Sequence, residues 1–437
     1  MTDPIVYVRF FHFAATIAAT GVVFFVVLVL EPAARGTADD ARAFKIVRTP
    51  LAAIAWGGLA LAIASGAAWL VANAASMSGE PVADAVAADV LWTVLSQTTF
   101  GIAWLVRFVL ACGLAAAFVR LLAADAGKPL WLEAAAVAMA VAFVGSLAWA
   151  GHAIGGQGVE GVLHPAADAL HLIAAAAWLG MLVPLALLLG LAADDAAALA
   201  TMRAAILRFS TLGLAAVGTL LASGIVNTWY LVGSISALLG TDYGRLVILK
   251  IALFLLMVAV AAVNRLRLTP KLVDDRRIAV IETARRQLRR NATIEASLGV
   301  VVIAVVAVLG VLPPASHSHH ASELAIPVEA AFQHIHTEQG MAEIVIDPGR
   351  VGRAKAAIHL SNDDGETLDA REVTVTLTAP TSGSTARAYA AARDDDDNWQ
   401  VDNVVLTEPG DWSIDVDALL RSGQRLELKA KIVIEAK

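Results

Sequence analysis

The chain has 437 residues, of which 58% are hydrophobic and only 16% are charged, whereas a soluble domain carries about 25% charged residues. Its net charge is −7 and it has one cysteine, Cys112, which excludes an intrachain disulfide and a cysteine metal cage. No Gly-x₄-Gly-Lys-Ser/Thr segment occurs, so we expect no nucleotide as a partner and no transport driven by ATP hydrolysis. Nucleic acid is not an expected partner either.

Eight apolar runs reach the roughly 20 residues that a helix needs to cross a bilayer. Because a backbone in lipid must satisfy its own hydrogen bonds, these runs predict an all-α polytopic bundle over 1–312. The N-terminal segment has no basic n-region and no small-residue cleavage site, so we interpret the first run as a retained helix and not as a signal peptide. The runs lie at about 5–30, 50–73, 99–122, 130–150, 166–190, 207–230, 244–264 and 292–312.

Basic residues are concentrated in alternate connections between these runs. Nine Lys and Arg lie between the seventh and eighth runs, whereas residues 74–98, 151–165 and 231–243 contain none. Cytoplasmic loops of membrane proteins carry the excess of Lys and Arg. The sequence therefore predicts an inner (plasma) membrane protein with both termini in the periplasm and the lipid bilayer as its main partner.

Four histidines of the predicted bundle fall near its periplasmic side. His164, Asp168 and His171 are spaced to share one helix face, His12 lies two turns into the first run, and His152 ends the fourth. Imidazole suits copper, zinc or haem iron, and a carboxylate can ligate a metal or orient a histidine. These five residues are predicted metal ligands; the alternative is that they are hydrogen-bonded packing residues.

Other polar side chains are predicted at the same level, where they would line or support an ion path. We expect Asp168 to pair with Lys250 or Arg107, although both basic residues could be purely structural. Few methionines are well placed, which favours a histidine-dominated entry site over a thioether ladder. The predicted path-lining or supporting residues are Arg107, Met181, Asn227, Asp242, Arg245 and Lys250.

The last part of the chain is polar and strand-like. We divide the chain into a transmembrane domain at 1–312, a His-rich linker with prolines at 313–324, and a periplasmic domain at 325–437. Seven predicted strands with turn clusters between them indicate a small all-β Ig-like sandwich. They lie at 341–347, 353–361, 371–379, 385–391, 398–406, 411–417 and 425–435.

Five histidines near the linker are further predicted metal ligands. The linker and the segment after it could gather metal ions, or they could carry incidental histidines. Alternation along a strand would place the last two on one face. These residues are His317, His319, His320, His334 and His336.

Several segments resemble the copper resistance D (CopD/PcoD) family over about 1–312. Residues 223–270 contain Ser-Gly-Ile-Val-Asn-Thr-Trp-Tyr-Leu-Val-Gly-Ser, Tyr-Gly-Arg-Leu-Val-Ile-Leu-Lys and Val-Asn-Arg-Leu-Arg-Leu-Thr-Pro. Earlier in the chain stand Arg-Phe-Phe-His and His-Leu-Ile-Ala-Ala-Ala-Ala-Trp-Leu-Gly. The C-terminal domain is similar to the YtkA-like β-domains that are fused to some members.

This resemblance implies a copper homeostasis protein that is not an enzyme. It would move copper ions across the membrane, or act with a separate periplasmic carrier of the CopC type. Two alternatives stay open. A HemJ-like redox protein would bind haem b, with His12 and His171 as possible axial ligands. A non-transporting anchor would deliver copper to, or dock with, another protein.

Overall fold

The computed structural model describes residues 4–35, 40–78, 82–123, 129–150, 160–191, 196–312, 330–337, 340–361, 367–380, 386–394, 398–421 and 423–436. These residues form two compact units, a helical unit and, after it in the chain, a β-unit. Both fold classes predicted from the sequence are confirmed.

Eight helices in the described part of the chain are long and apolar enough to cross a membrane. Two short helices, Val82–Ala85 and Ala88–Gln97, precede the third long helix, and Ile235–Gly240 precedes the seventh. The long helices are α1 (Pro4–Phe24, continued by Phe25–Leu30 and Glu31–Ala34), α2 (Asp40–Ser78), α3 (Thr99–Leu121), α4 (Leu130–Gly145), α5 (Glu160–Leu188), α6 (Ala196–Val232), α7 (Asp242–Val263, continued by Asn264–Leu268 and Thr269–Val273) and α8 (Ile278–Leu309).

The first turns of α8 lie outside the run predicted at 292–312. They are polar, and Glu282 pairs there with Arg285 at 2.7 Å and with Arg286 at 3.3 Å. Ion pairs three and four residues apart stabilise a helix without apolar side chains. Hydropathy alone therefore places the start of this helix about four turns too late.

Helix α1 is the centre of the helical unit. Of its most apolar stretch 72% is buried, against 11% for α7. It packs against α2 and α5, and Gly21 of α1 meets Gly180 of α5 so closely that a Cβ on either would overlap the other backbone. Small residues allow membrane helices to approach in this way. The α1–α5 crossing therefore joins the first four helices to the last four.

The outward face of the bundle is apolar. On α7, the exposed side chains include Leu249, Ile251, Leu255 and Leu256. Exposed apolar side chains grouped on one helix are unfavourable in water and favourable in hydrocarbon. The exposed face of α7 is therefore suited to contact with lipid chains.

The β-unit consists of antiparallel strands in two sheets. One sheet has the order β1-β2-β3-β7-β6 and the other β5-β4-β8-β9. All seven predicted strands are present, with β1 and the two-residue β6 in addition. The strands are β1 (Ala331–Thr337), β2 (Gly340–Asp347), β3 (Gly352–Ser361), β4 (Ala370–Thr378), β5 (Arg387–Ala390), β6 (Ala392–Arg393), β7 (Trp399–Leu406), β8 (Gly410–Leu420) and β9 (Arg425–Ile434).

The two sheets enclose one apolar core, to which alternate residues of each strand contribute. On β8, Trp412, Ile414 and Val416 are buried, while the residues between them are not. This period of two is that of a strand with one face on a core. His359 of β3 alternates with the core residues Ile358 and Leu360, is also buried, and donates from Nδ1 to Asn398 Oδ1 at 2.7 Å, which indicates a structural role.

Strand β9 offers a matched pair of positions for a stability test. Leu428→Ala is expected to destabilise the β-unit by about 2–5 kcal/mol, because the side chain is fully buried and its removal leaves a cavity. Val433→Ala, at a position 63% exposed on the same strand, should change stability by less than about 0.5 kcal/mol. Limited proteolysis of the β-unit in the full-length protein measures both. Equal protease resistance of the two variants would contradict this description of the core.

Candidate cation site at one end of the helical bundle

Polar side chains from six helices meet where α1, α3, α5 and α7 begin and where α2 and α6 end. We call this the amino end of the bundle. Two histidines, His12 of α1 and His171 of α5, lie at this end, each nine residues before one of the two crossing glycines. Each histidine contacts a serine of the following helix.

His12 is fully engaged by its neighbours. Its Nε2 lies 2.9 Å from Arg107 Nη2, and since arginine can only donate, Nε2 must accept. The proton is then on Nδ1, which donates to Ser65 Oγ at 3.1 Å, while the serine hydroxyl donates to Leu61 O at 2.6 Å. Both ring nitrogens of His12 are therefore occupied.

Arg107 of α3 is buried and ties three helices together. Besides His12 on α1, it donates from Nη1 to Phe143 O at 2.7 Å and to Ser146 Oγ at 2.8 Å, both at the end of α4. Its guanidinium also lies over the Phe143 ring, 4.6 Å from the centroid. Such a fully partnered buried cation indicates a packing role for the His12–Arg107 pair.

His171 is held through Nδ1 in the same way as His12, but its other ring nitrogen, Nε2, is not engaged. Its Nδ1 lies 3.0 Å from Ser223 Oγ, whose hydroxyl donates to Thr219 O at 2.6 Å, so Nδ1 is the donor. Within the part of the chain that the structure describes, Nε2 of His171 makes no hydrogen bond. A neutral imidazole held through Nδ1–H with an unengaged Nε2 is the arrangement of a metal-ligating histidine.

An acidic and a basic side chain lie beside His171. Asn227 Nδ2 of α6 donates to Asp168 Oδ1 of α5 at 3.2 Å, and Lys250 of α7 interacts electrostatically with both Asp168 and His171. Tyr243, at the start of α7, also lies within electrostatic range of Asp168. Asn227 Oδ1 is buried and has no hydrogen-bond partner among the described residues. This group leaves one imidazole nitrogen on α5 and one amide oxygen on α6 without a hydrogen-bond partner among the described residues.

The second half of the bundle repeats the polar pattern of the first. Thr98 and Thr241 each accept a hydrogen bond from the glycine three residues later, at the start of α3 and of α7. Nine residues after each threonine stands a basic residue, Arg107 in the first half and Lys250 in the second. Gly66 and Gly224, each directly after a histidine-contacting serine, face the imidazole Cε1 atoms of His12 and His171. The two halves therefore carry equivalent histidines, of which only His171 retains an unengaged nitrogen.

Other predicted site residues lie in less suitable surroundings. His164 stacks on Tyr230 with ring centroids 5.0 Å apart. Asp242 and Arg245 form a pair at 3.1 Å, with side chains 85% and 65% exposed, so they do not line the interior. Met181 is buried in the apolar core beside the α1–α5 crossing. Of the two basic residues expected beside Asp168, Lys250 lies within electrostatic range of it. Arg107 is hydrogen-bonded instead to His12, Phe143 and Ser146.

Several predicted ligands cannot be assigned a contact. His152, His317, His319 and His320 lie outside the described residues, as do the side chains of His334 and His336, whose backbone pairs with β2. Among the described residues, no group of three or more His, Cys, Asp or Glu side chains is arranged to hold a metal ion. The set His12, His164, Asp168 and His171 is thus not gathered into one closed cage.

The predicted site residues do not include the two serines that contact the histidines. Ser65 and Ser223 stand in Ser-Gly pairs, which are typical of close helix contacts. The signal that distinguishes them is the repeat itself: each pair follows a His-x₈-Gly segment and precedes a Thr-x₂-Gly-x₅-cation segment. A comparison of the two halves of the chain would have found it.

Comparison with known proteins identifies the family. A profile described as Copper resistance protein D matches residues 203–309, and one described as Copper resistance protein D-like, N-terminal domain, matches residues 1–162. Copper resistance protein D of Pseudomonas syringae pv. tomato is 31% identical over 318 residues, which are 72% of this chain and 98% of that protein. The chain belongs to the copper resistance protein D family.

Two further relatives agree with this family and with a membrane location. Inner membrane protein YebZ of Escherichia coli (strain K12) is 32% identical over 224 residues, 51% of this chain and 72% of that protein. Copper transport protein CutJ of Bacillus subtilis (strain 168) is 28% identical over 259 residues, 58% of this chain and 43% of that protein. The eight helices and these relatives make this copper resistance D family member a multi-pass inner-membrane protein with a copper-related function.

Proposed function

We propose that this protein moves copper ions across the inner membrane from the periplasmic side, with His171 as the ligand that receives them. The observation that carries this proposal is the unengaged Nε2 of His171, held by Ser223 beside Asp168 and Asn227. Copper is the cargo here, and imidazole is among its preferred protein ligands.

The distribution of basic residues supports a periplasmic amino end. At the opposite end, Arg285 donates to the backbone carbonyls of Leu189 and Leu191 after α5. Arg203 donates to those of Leu272 and Asp275, in the last turn of α7 and just after it. Arginines that close helix C-termini in this way favour the cytoplasmic side of a membrane. His171 then faces the periplasm, as do both termini.

The open donor set suits a cargo better than a resident metal. A transported ion must bind well enough to enter and weakly enough to leave. One imidazole nitrogen and the amide oxygen of Asn227 offer partial coordination, while the positive charge of Lys250 balances Asp168 and opposes tight retention of a second cation. Additional donors would come from His164 and His152 during entry.

The polar segment after α8 would raise the local copper concentration at this entrance. Residues 313–324 contribute His317, His319 and His320, and the following β-unit contributes His334 and His336. A separate periplasmic carrier of the CopC type would deliver copper to the same side. The YtkA-like character of the β-unit stays a prediction.

Ser223 offers a direct test of the ligand. Ser223→Ala removes the acceptor that orients His171, and loss of such a supporting hydrogen bond typically weakens metal affinity about 10–100-fold. Ser65→Ala is the matched control, because it removes the same contact from His12 and should leave copper affinity unchanged. Copper titration of the purified full-length variants measures both. Equal affinities in the two variants would contradict the assignment to His171.

Transport itself is tested in vesicles. Full-length protein reconstituted into lipid vesicles that contain a copper-sensitive dye should admit copper faster than protein-free vesicles. Entry at the protein-free rate would contradict transport and favour a delivery or docking role. In the haem alternative His12 is a possible axial ligand, and its Nε2 is already hydrogen-bonded to Arg107. That alternative predicts a Soret absorbance band in the purified protein.

A further inference from the structure

Glu295 of α8 is a buried carboxyl group in the half of the bundle opposite the amino end. The residue is 1% exposed. Its Oε1 accepts a hydrogen bond from Asn264 Nδ2 of α7 at 2.7 Å, and Asn264 Oδ1 accepts one from Asn291 Nδ2 of α8 at 2.7 Å. Its other oxygen, Oε2, is buried and has no hydrogen-bond partner in the described part of the chain.

A cavity of about 330 Å³ adjoins this carboxyl group. It is lined by α5, α6, α7 and α8, mostly with apolar side chains such as Trp178 and Phe209. Arg265 and Glu295 are the charged side chains in its lining. Arg265 donates from Nη1 to Ser210 Oγ at 2.7 Å and to Ser210 O at 2.9 Å, and no ion pair joins it to Glu295 among the described residues.

A carboxylate in these surroundings would be an unpaired buried charge, which is strongly unfavourable. The neutral acid fits the observed contacts. Its carbonyl oxygen is Oε1, which accepts from Asn264, and its O–H is on Oε2, which is buried and has no acceptor among the described residues. Burial and hydrogen bonding thus both select the protonated form.

We propose that Glu295 is a proton-binding site that exchanges its proton through this cavity. Glu295 is separated by a short stretch of α8 from the end of the bundle that lies opposite the amino end. Asn291 and the basic residues Arg289 and Arg290 occupy the turn of α8 just before Glu295. The ligand is a proton, which leaves Oε2 when an acceptor enters the cavity and returns when the acceptor leaves. This assignment does not depend on copper binding or transport.

Infrared spectroscopy of the purified full-length protein tests the assignment. The wild type is expected to show the carbonyl band of a neutral carboxyl group that Glu295→Gln lacks, and the band should shift in deuterated buffer because the proton exchanges. Glu282→Gln is the matched control. Its carboxylate lies on the same helix but is paired with Arg285 and Arg286, so the variant should keep the band.

A second variant keeps the test decisive if Glu295→Gln does not fold. Asn264→Ala removes the donor to Oε1, so the carbonyl band should persist and move to higher frequency. Superimposable carbonyl regions in wild type and Glu295→Gln, or an unshifted band in Asn264→Ala, would overturn the proposal. A band that does not respond to deuterated buffer would overturn the exchange of the proton through the cavity.

Discussion

Replacing His171 by alanine is expected to reduce the copper content of cells that produce this protein to that of cells that lack it. The variant removes the unengaged Nε2, while its stability should change little because the lost contact to Ser223 leaves a hydroxyl that still donates to Thr219. Elemental analysis of washed cells measures the content. Western blotting and detergent gel filtration control for the amount of folded protein.

His12→Ala is the matched control for this prediction, and its effect should be the reverse. Copper content should stay close to that of the wild type, because both nitrogens of His12 are already engaged. Stability should fall by about 1–3 kcal/mol, since the buried guanidinium of Arg107 loses one acceptor. Loss of copper in His12→Ala with retention in His171→Ala would contradict the assignment of the two histidines.

Gly21→Ala is expected to destabilise the helical unit by about 1–3 kcal/mol, or to prevent its assembly. The added Cβ would overlap the backbone of Gly180, so α1 and α5 would have to move apart along their whole contact. Because this crossing joins the two halves of the bundle, the distortion would reach both histidines. Thermal unfolding in detergent measures the change.

Gly213→Ala controls for the intrinsic effect of replacing glycine by alanine in a helix. Gly213 lies in α6 with no atom within 4 Å of the position a Cβ would occupy. This variant should be as stable as the wild type or gain about 0.5–1 kcal/mol, because alanine favours the helix. Equal unfolding temperatures for Gly21→Ala and Gly213→Ala would show that the crossing tolerates a larger separation.

The helices were predictable because lipid imposes a length and a composition on each of them. The polar turns at the ends of these helices were not predictable from hydropathy. The first turns of α8 are held by Glu282 and its arginines, and the turns that extend α7 beyond residue 264 also lie outside the apolar run. In the β-unit, alternation identified strands such as β8, whereas the two-residue β6 forms only because β7 lies beside it.

The site was predictable in its residue types and in its position at one end of the bundle, but not in its partners. Periodicity placed Asp168 and His171 on one face of α5, and Lys250 was one of two expected partners for that aspartate. Whether an imidazole nitrogen is used or unused depends on side chains from other helices. Arg107 of α3 occupies Nε2 of His12, and the sequence around His12 does not indicate this contact.

The most direct test of the central claim is metal analysis with an absorbance spectrum on full-length protein purified in detergent and loaded with copper, wild type beside His171→Ala. We expect copper bound by the wild type, copper reduced to background in the variant, and no Soret band in either. Equal copper in both proteins, or a Soret band that the variant loses, would contradict a copper site at His171.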